Sequence, residues 1–254
     1  MKITFLGTGT SCGVPVIGCE CEVCRSTDPK DKRLRCSILV ETETTRLLVD
    51  AGPDFRQQIL PQPFRRIDGI LVTHSHYDHV GGMDDIRPYC QFGEMNVYAD
   101  KIARQGMLSM LPYCFAENRY PGVPQIGLHE IEAGKAFKIG DIEILPIRVM
   151  HGKLPILGYR FGGFAYITDM KTMEDDQKAL LKGVEVLCVN ALRFDKPHHS
   201  HQLVDDALAF SKEVGAKRTL ITHVCHDVGL HEVVNKKLPD GAELAFDGQI
   251  IVIE

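Results

Sequence analysis

The stretch LVTHSHYDHVGG, residues 71–82, places three histidines and one aspartate within six positions, directly after the apolar run GILV. Imidazole nitrogens and carboxylate oxygens are common ligands of zinc, manganese and related cations. The spacing of His74, His76 and Asp78 does not suit one face of a helix, because residues two apart on a helix point in different directions. The stretch therefore predicts a buried strand that ends in a metal-binding turn.

Three further candidate ligands each follow an apolar run elsewhere in the chain. His151 follows LPIRVM, Asp169 follows FAYIT and His223 follows RTLIT. Taken alone, Asp169 could cap a following helix, and either histidine could be an ordinary hydrogen-bonded residue. Their joint position at strand ends favours a single metal centre, with ligands drawn from His74, His76, Asp78, His79, His151, Asp169 and His223.

The composition is that of an ordinary globular protein. The chain has 254 residues, of which 44% are hydrophobic and 25% charged, and its net charge is −5. A negative chain lacks the electrostatic attraction of a general nucleic-acid or anionic-membrane binder. The N-terminal residues MKITFLGTGTSCG contain no signal-peptide hydrophobic region, and no apolar run approaches the roughly 18 residues that span a bilayer. We therefore expect a cytoplasmic protein with no membrane partner.

Apolar runs, hairpin signals and helical spacing alternate along the chain in two similar rounds. Strands with hairpins come first and helices follow, which favours helices covering a pair of sheets over an all-parallel sheet. Residues 101–115 have helical spacing until Pro112, and residues 203–216 have helical spacing throughout. Residues 243–254, ELAFDGQIIVIE, predict a terminal hairpin.

A second motif, GCECEVCRS at residues 18–26, contains Cys19, Cys21 and Cys24. In a reducing compartment such thiols are metal ligands more often than disulfides, and three thiolates at this spacing suit a tetrahedral zinc that needs one more ligand. His226, three residues after His223, is the predicted fourth ligand. Cys225 is the alternative, but its side chain should point the other way if this segment is extended.

The residues His74-Ser75-His76-Tyr77-Asp78-His79 resemble the HxHxDH signature of the metallo-β-lactamase superfamily, and the similarity extends over nearly the whole chain. The resemblance implies an α/β fold, an αββα sandwich of two mixed β-sheets flanked by helices, with residues 1–254 as one domain and a zinc loop at about 18–26. It also implies that His74, His76 and His151 hold one metal. The second metal would be held by Asp78, His79 and His223, and Asp169 would bridge the two.

The opening strand ends in GTGTSCGVP, residues 7–15, just before the cysteine loop, and this arrangement looks like the PhnP-like branch. That branch implies a metal-dependent phosphodiesterase that hydrolyses a small cyclic ribose phosphodiester, such as 5-phosphoribosyl 1,2-cyclic phosphate. The reaction would use a hydroxide activated by two divalent ions (Zn, Mn or Ni), and the cysteine loop would hold one structural Zn. A homodimer is also implied.

The catalytic residues expected beyond metal binding are Asp78 and a histidine that protonates the leaving group. The segment KPHHSHQLVDD, residues 196–206, offers three histidines before a helix, and PhnP-like enzymes place a catalytic histidine in this loop. His201 is preferred, while His198 and His199 remain open alternatives.

Three rival functions are compatible with parts of this pattern. A tRNA 3′-processing nuclease would need a long basic insertion, and the negative chain offers no such support for phosphate-backbone binding. A non-catalytic cofactor-biosynthesis or binding member is disfavoured by the complete ligand set. A thioester or lactam hydrolase fits less well with Asp169 and the cysteine loop. We therefore expect a small phosphodiester as substrate and no nucleic-acid partner.

Overall fold

Two seven-stranded β-sheets pack face to face in the computed structural model, which describes residues 1–253. The first sheet contains β1 (Lys2–Gly7), β2 (Ser37–Glu41), β3 (Arg46–Val49), β4 (Gly69–Leu71), β5 (Met95–Ala99), β6 (Ile126–Glu130) and β14 (Ile250–Val252). The second contains β7 (Phe137–Ile139), β8 (Ile142–His151), β9 (Leu154–Phe161), β10 (Phe164–Ile167), β11 (Val186–Asn190), β12 (Arg218–Thr222) and β13 (Ala242–Leu244).

Both sheets are mixed. The first has the order β14-β1-β2-β3-β4-β5-β6, and its strands run parallel from β3 to β6. The second has the order β13-β12-β11-β10-β9-β8-β7, and its strands run parallel from β10 to β13. Parallel neighbours end at the same edge of a sheet, so the polar residues that follow β10 and β12 lie at a common edge.

Short helices connect the strands and cover the outer faces of the sheets. The α-helices are α1 (Glu22–Arg25), α2 (Phe55–Ile59), α3 (Tyr77–Val80), α4 (Lys101–Met110), α5 (Pro112–Phe115), α6 (Asp175–Ala179), α7 (Val204–Val214) and α8 (His231–Asn235). The 3₁₀ segments are Pro29–Asp31, Met83–Phe92 and His226–Val228. None of the helices within residues 1–253 is long and apolar enough to cross a bilayer.

The hydrophobic clusters follow this layering. Phe5, Leu71 and Tyr166 belong to the cluster that fills the space between the two sheets. A second cluster packs α2 and α4 against the outer face of the first sheet, and a third packs α7 against the outer face of the second sheet. The predicted αββα sandwich is therefore confirmed.

The predicted terminal hairpin is wrong. β13 pairs in parallel with β12 in the second sheet, whereas β14 pairs antiparallel with β1 in the first. Asp247, in the connection, explains the separation: its carboxylate accepts hydrogen bonds from the Leu34 backbone at 2.6 Å and the Thr8 hydroxyl at 2.7 Å. These contacts hold the chain where it passes from one sheet to the other.

Several short elements were not predicted, among them α1, α2, α3 and β6. The edge strand β6 is half exposed and contains glycine, histidine and glutamate, so it lacks a strand-like pattern. The five-residue helix α2 is too short for a periodic signal. The helix expected from residue 101 to Pro112 ends at Met110, because Pro112 begins the separate turn α5.

Candidate metal centre

The predicted active-site ligands lie at strand ends and come together. His151 is the last residue of β8, His223 directly follows β12, and Asp169 lies two residues beyond β10. The ligand atoms form two groups, and within each group they lie no more than 4.8 Å apart; one group is His74, His76 and His151, and the other is Asp78, His79, Asp169 and His223.

In the first group, hydrogen bonds fix which ring nitrogen is free. His151 Nδ1 donates to the carbonyl oxygens of Asp169 at 2.8 Å and Ser200 at 3.1 Å, which leaves Nε2 available. His74 Nδ1 lies 3.0 Å from the Thr73 hydroxyl, so Nε2 is again free, and it approaches His76 Nδ1 to 3.0 Å. Oriented imidazoles with lone pairs directed at one point are what a metal site requires.

In the second group, carboxylates and imidazoles alternate around a common centre. Asp169 Oδ2 lies 3.2 Å from His79 Nε2, and Asp169 Oδ1 lies 3.1 Å from His223 Nε2. Within the described residues, Nε2 of His79 and both ring nitrogens of His223 are buried and make no directed hydrogen bond. Buried, unpartnered nitrogens next to carboxylates fit a divalent cation, because an empty polar centre would carry a large desolvation cost.

Asp50 is a site residue that the sequence analysis missed. Its fully buried carboxylate lies 2.7 Å from His79 Nδ1 and accepts hydrogen bonds from the Thr73 amide and hydroxyl, both at 2.8 Å. These contacts orient the His79 ring with Nε2 toward the second group. The signal was present, because Asp50 also follows an apolar run, LLV.

Three residues of this edge have left-handed backbone conformations. The φ angles are 60° at Asp50, 56° at Asp169 and 56° at His223. Non-glycine residues rarely adopt such angles, which cost of order 1–3 kcal/mol and persist where the surrounding structure enforces them. These three residues follow the ends of β3, β10 and β12, and their left-handed backbone turns the side chains toward the site.

The charges of the second group shift one another's pKa values. Burial disfavours the charged form of each member, but the imidazoles of His223 and His79 outweigh it and lower the pKa of Asp169 well below its usual value. Burial lowers the pKa of His79 and His223, but the charge of Asp169 outweighs burial and raises both pKa values well above the usual value. Asp50 also raises the pKa of His79. The raised pKa values favour protons on the nitrogens assigned to a cation, so a cation would compete with protons for them.

His201 lies over both groups. Its ring stacks on His223 with centroids 4.8 Å apart and is 4.7 Å from the His151 ring, and its Nδ1 is 3.9 Å from Asp169 Oδ1. Burial, together with the neighbouring His223, lowers the pKa of His201 to about 2 and so disfavours the charged form of the ring. His198 is half-buried and His199 exposed, and neither joins a potential metal-binding group within residues 1–253.

The cysteine loop forms a separate four-residue group with His226. His226 Nδ1 lies 3.3 Å from Cys19 Sγ, 3.2 Å from Cys21 Sγ and 3.5 Å from Cys24 Sγ. A tetrahedral zinc with bonds of about 2.0–2.3 Å separates its nitrogen and sulfur ligands by about 3.5 Å, so this group fits zinc.

The thiols of this loop differ in environment. A hydrogen bond from the Cys24 backbone amide, with a smaller contribution from His226, lowers the pKa of Cys21 to about 6. Burial raises the pKa of Cys24 to about 11. The rival Cys225 is buried and is not part of the group found within residues 1–253.

Comparisons with known proteins agree with this geometry. The crystal structure of a new diphosphatase from the PhnP family matches with a TM-score of 0.91 and 37% sequence identity, over 98% of this chain and 96% of that one. An octanoyltransferase of Porphyromonas gingivalis is 40% identical across 100% of this chain, which spans 52% of that protein. The exodeoxyribonuclease WalJ of Streptococcus pneumoniae is 28% identical over 61% of this chain and 57% of its own length.

The chain therefore spans about half the length of these two curated relatives. The family described as beta-lactamase superfamily domain matches residues 45–224, which include all seven active-site candidates. Together with the two-sheet sandwich and the PhnP-family structure, this match establishes the family. The chain belongs to the metallo-β-lactamase superfamily and is a PhnP-like member of it.

Proposed function

We propose that this protein is a metal-dependent phosphodiesterase acting on a small cyclic ribose phosphodiester. The observation that carries the proposal is the position of Asp169. Its carboxylate lies 3.1–3.2 Å from His223 and His79 and also groups within 4.8 Å of His151. One carboxylate thus lies near residues of both halves of the ligand set, as a bridge between two cations would.

The residues assigned to the two cations (Zn, Mn or Ni) are His74, His76 and His151 for one, and Asp78, His79 and His223 for the other, with Asp169 shared. Bound divalent cations would lower the pKa of a water and neutralise charge on a phosphoryl group. The anionic Asp169 would reduce repulsion between the two cations. Cys19, Cys21, Cys24 and His226 would hold one structural Zn, whose four protein ligands leave no open position for substrate.

Two residues are assigned to catalysis beyond metal binding. Asp78 is partly exposed, and its Oδ2 lies 3.4 Å from His79 Nε2, so its carboxylate can orient a water at the open side of the site. His201 faces the site from the opposite loop and is assigned to protonate the leaving oxygen. A phosphodiester anion beside His201 favours its charged form, which opposes the effect of burial on its pKa.

The extent of the PhnP-family match supports residues 1–254 as one functional unit. A diphosphatase splits a phosphorus–oxygen bond, the type of bond that the proposed reaction also breaks. A homodimer, implied by the family resemblance, remains part of this proposal.

A second candidate function is hydrolysis of an octanoyl ester or thioester. The similarity to a longer protein named octanoyltransferase favours it, since 40% identity extends over this whole chain. A water activated at the same site could also attack an acyl carbon. The choice between a phosphodiester and an acyl substrate therefore depends on what the surrounding loops bind.

A substrate panel distinguishes these functions. Ribose 1,2-cyclic phosphate, a 2′,3′-cyclic nucleotide, ADP-ribose, single-stranded DNA and an octanoyl thioester should be compared with Mn²⁺, Ni²⁺ or Zn²⁺ added. We expect the highest kcat/KM for the cyclic ribose phosphodiester. Preference for the thioester would support the second candidate, and preference for DNA or ADP-ribose would refute the proposed substrate class.

A further inference from the structure

Gly106, in the interior of α4, touches the metal-binding motif. A methyl carbon at this position would lie 2.1 Å from Ser75 Oγ and 2.4 Å from Ser75 Cβ. Carbon atoms in ordinary contact are about 3.5–4.0 Å apart, so no other side chain fits at position 106 without movement. Ser75 lies between His74 and His76, both assigned to one cation.

Neither partner in this contact can move freely. α4 is held by the buried residues Ala103 and Met107, and its first turn is capped where the Ala103 amide donates to Asp100 Oδ1 at 2.7 Å. On the other side, Ser75 Cβ is fixed to the backbone, so a rotamer change moves only the hydroxyl. A methyl at Gly106 therefore has to displace the backbone at Ser75 by about 1 Å to restore a normal contact.

Such a displacement exceeds what a metal site tolerates. His74 Nε2 and His76 Nδ1 are 3.0 Å apart, and ligand distances to a bound cation stay within about 0.2 Å of their ideal values. We propose that Gly106 is a positioning residue, which sets the placement of His74 and His76 and thereby the affinity of the cation they share with His151. This inference rests on the proposed function, because it uses that assignment of ligands.

For the substitution Gly106→Ala, helix propensity and the contact with Ser75 predict opposite results. Alanine is favoured over glycine in a helix interior, so propensity alone predicts that Gly106→Ala is harmless or stabilising. The close approach to Ser75 predicts weaker cation binding instead.

The test is a Mn²⁺ titration by calorimetry of chelator-treated proteins, with folding checked by circular dichroism. We expect Gly106→Ala to weaken binding at one site at least about tenfold, as disturbed metal-site supports typically do. The double variant Gly106→Ala/Ser75→Gly removes both clashing atoms and should return the affinity to within about threefold of wild type. Gln105→Ala, at the exposed neighbouring position on α4, is the matched control and should bind as wild type does.

Unchanged Mn²⁺ affinity in Gly106→Ala would overturn the positioning role. If that variant does not fold, the double variant must regain both folding and Mn²⁺ binding, and its failure would also overturn the role. Wild-type protein that binds no Mn²⁺ would instead contradict the ligand assignment in the proposed function.

Discussion

Replacing Asp50 by asparagine should weaken metal binding without disturbing the fold. Asparagine has nearly the same volume as aspartate and tolerates the left-handed φ of 60° found at this position. The substitution therefore changes the hydrogen bonds that Asp50 makes with His79 and Thr73, and leaves the backbone at the end of β3 intact.

The effect follows from the direction of those hydrogen bonds. If the amide nitrogen replaces Oδ2, it donates to His79 Nδ1 and forces the ring proton onto Nε2, the atom assigned to the cation. If it replaces Oδ1, it faces another donor, the Thr73 amide, 2.8 Å away. Loss of a hydrogen bond to a charged group costs about 1.5–3 kcal/mol, which corresponds to about 10- to 150-fold in affinity.

The assay is calorimetric titration of chelator-treated protein with Mn²⁺, together with thermal denaturation. Asp54→Asn is the matched control, because Asp54 accepts hydrogen bonds from Arg35 and not from a predicted metal ligand. We expect a weaker second site in Asp50→Asn and normal sites in Asp54→Asn. An Asp50→Asn protein that binds both Mn²⁺ ions as tightly as wild type would refute the orienting role of Asp50.

Four further outcomes are expected. Asp169→Ala should lower kcat/KM on bis(p-nitrophenyl) phosphate at least about 100-fold and leave the protein folded; near wild-type turnover at saturating Mn²⁺ would exclude the bridge. Cys21→Ser should lose one tightly held zinc and several degrees in Tm with little change in the chemical step, and an unchanged zinc count would contradict this. His201→Ala should slow diesters with alkoxide leaving groups about 10²–10⁴-fold but spare p-nitrophenyl esters, whereas equal losses would indicate a binding role. Because the pKa values of His79 and His223 are raised in the metal-free protein, Mn²⁺ affinity should fall from pH 8 to pH 6, about tenfold per pH unit for each displaced proton, and a pH-independent affinity would rule out this competition.

The sequence predicted the layered fold and the residues that meet at the site, because both depend on local patterns. Apolar runs identify strands, and a lone polar residue after each run marks a strand end; His151, Asp169 and His223 all followed this rule. The fourth residue of the cysteine group, His226, was also predicted from its distance to His223. These side chains do group as expected, although their roles as ligands remain predictions.

The features that the sequence did not predict depend on contacts between distant segments. Asp50 carries the same strand-end signal as the ligands, but its role appears only when β3 and β4 lie side by side. Gly106 has no sequence signal, since its contact with Ser75 arises from the packing of α4 on the first sheet. The prediction of a terminal hairpin was wrong because the Asp247-Gly248 pair resembles a hairpin turn. In the structure, β14 pairs with β1 and β13 pairs with β12 instead.

The most direct test of the central claim is a titration of diesterase activity against bound metal. Protein that retains the one zinc assigned to the cysteine loop but is stripped of other metals receives Mn²⁺ in known equivalents, and hydrolysis of bis(p-nitrophenyl) phosphate is measured at each step. Two cations bridged by Asp169 predict that activity rises to a plateau at two equivalents per chain. A plateau reached at one equivalent, or no hydrolysis at any occupancy, would contradict a two-metal phosphodiesterase.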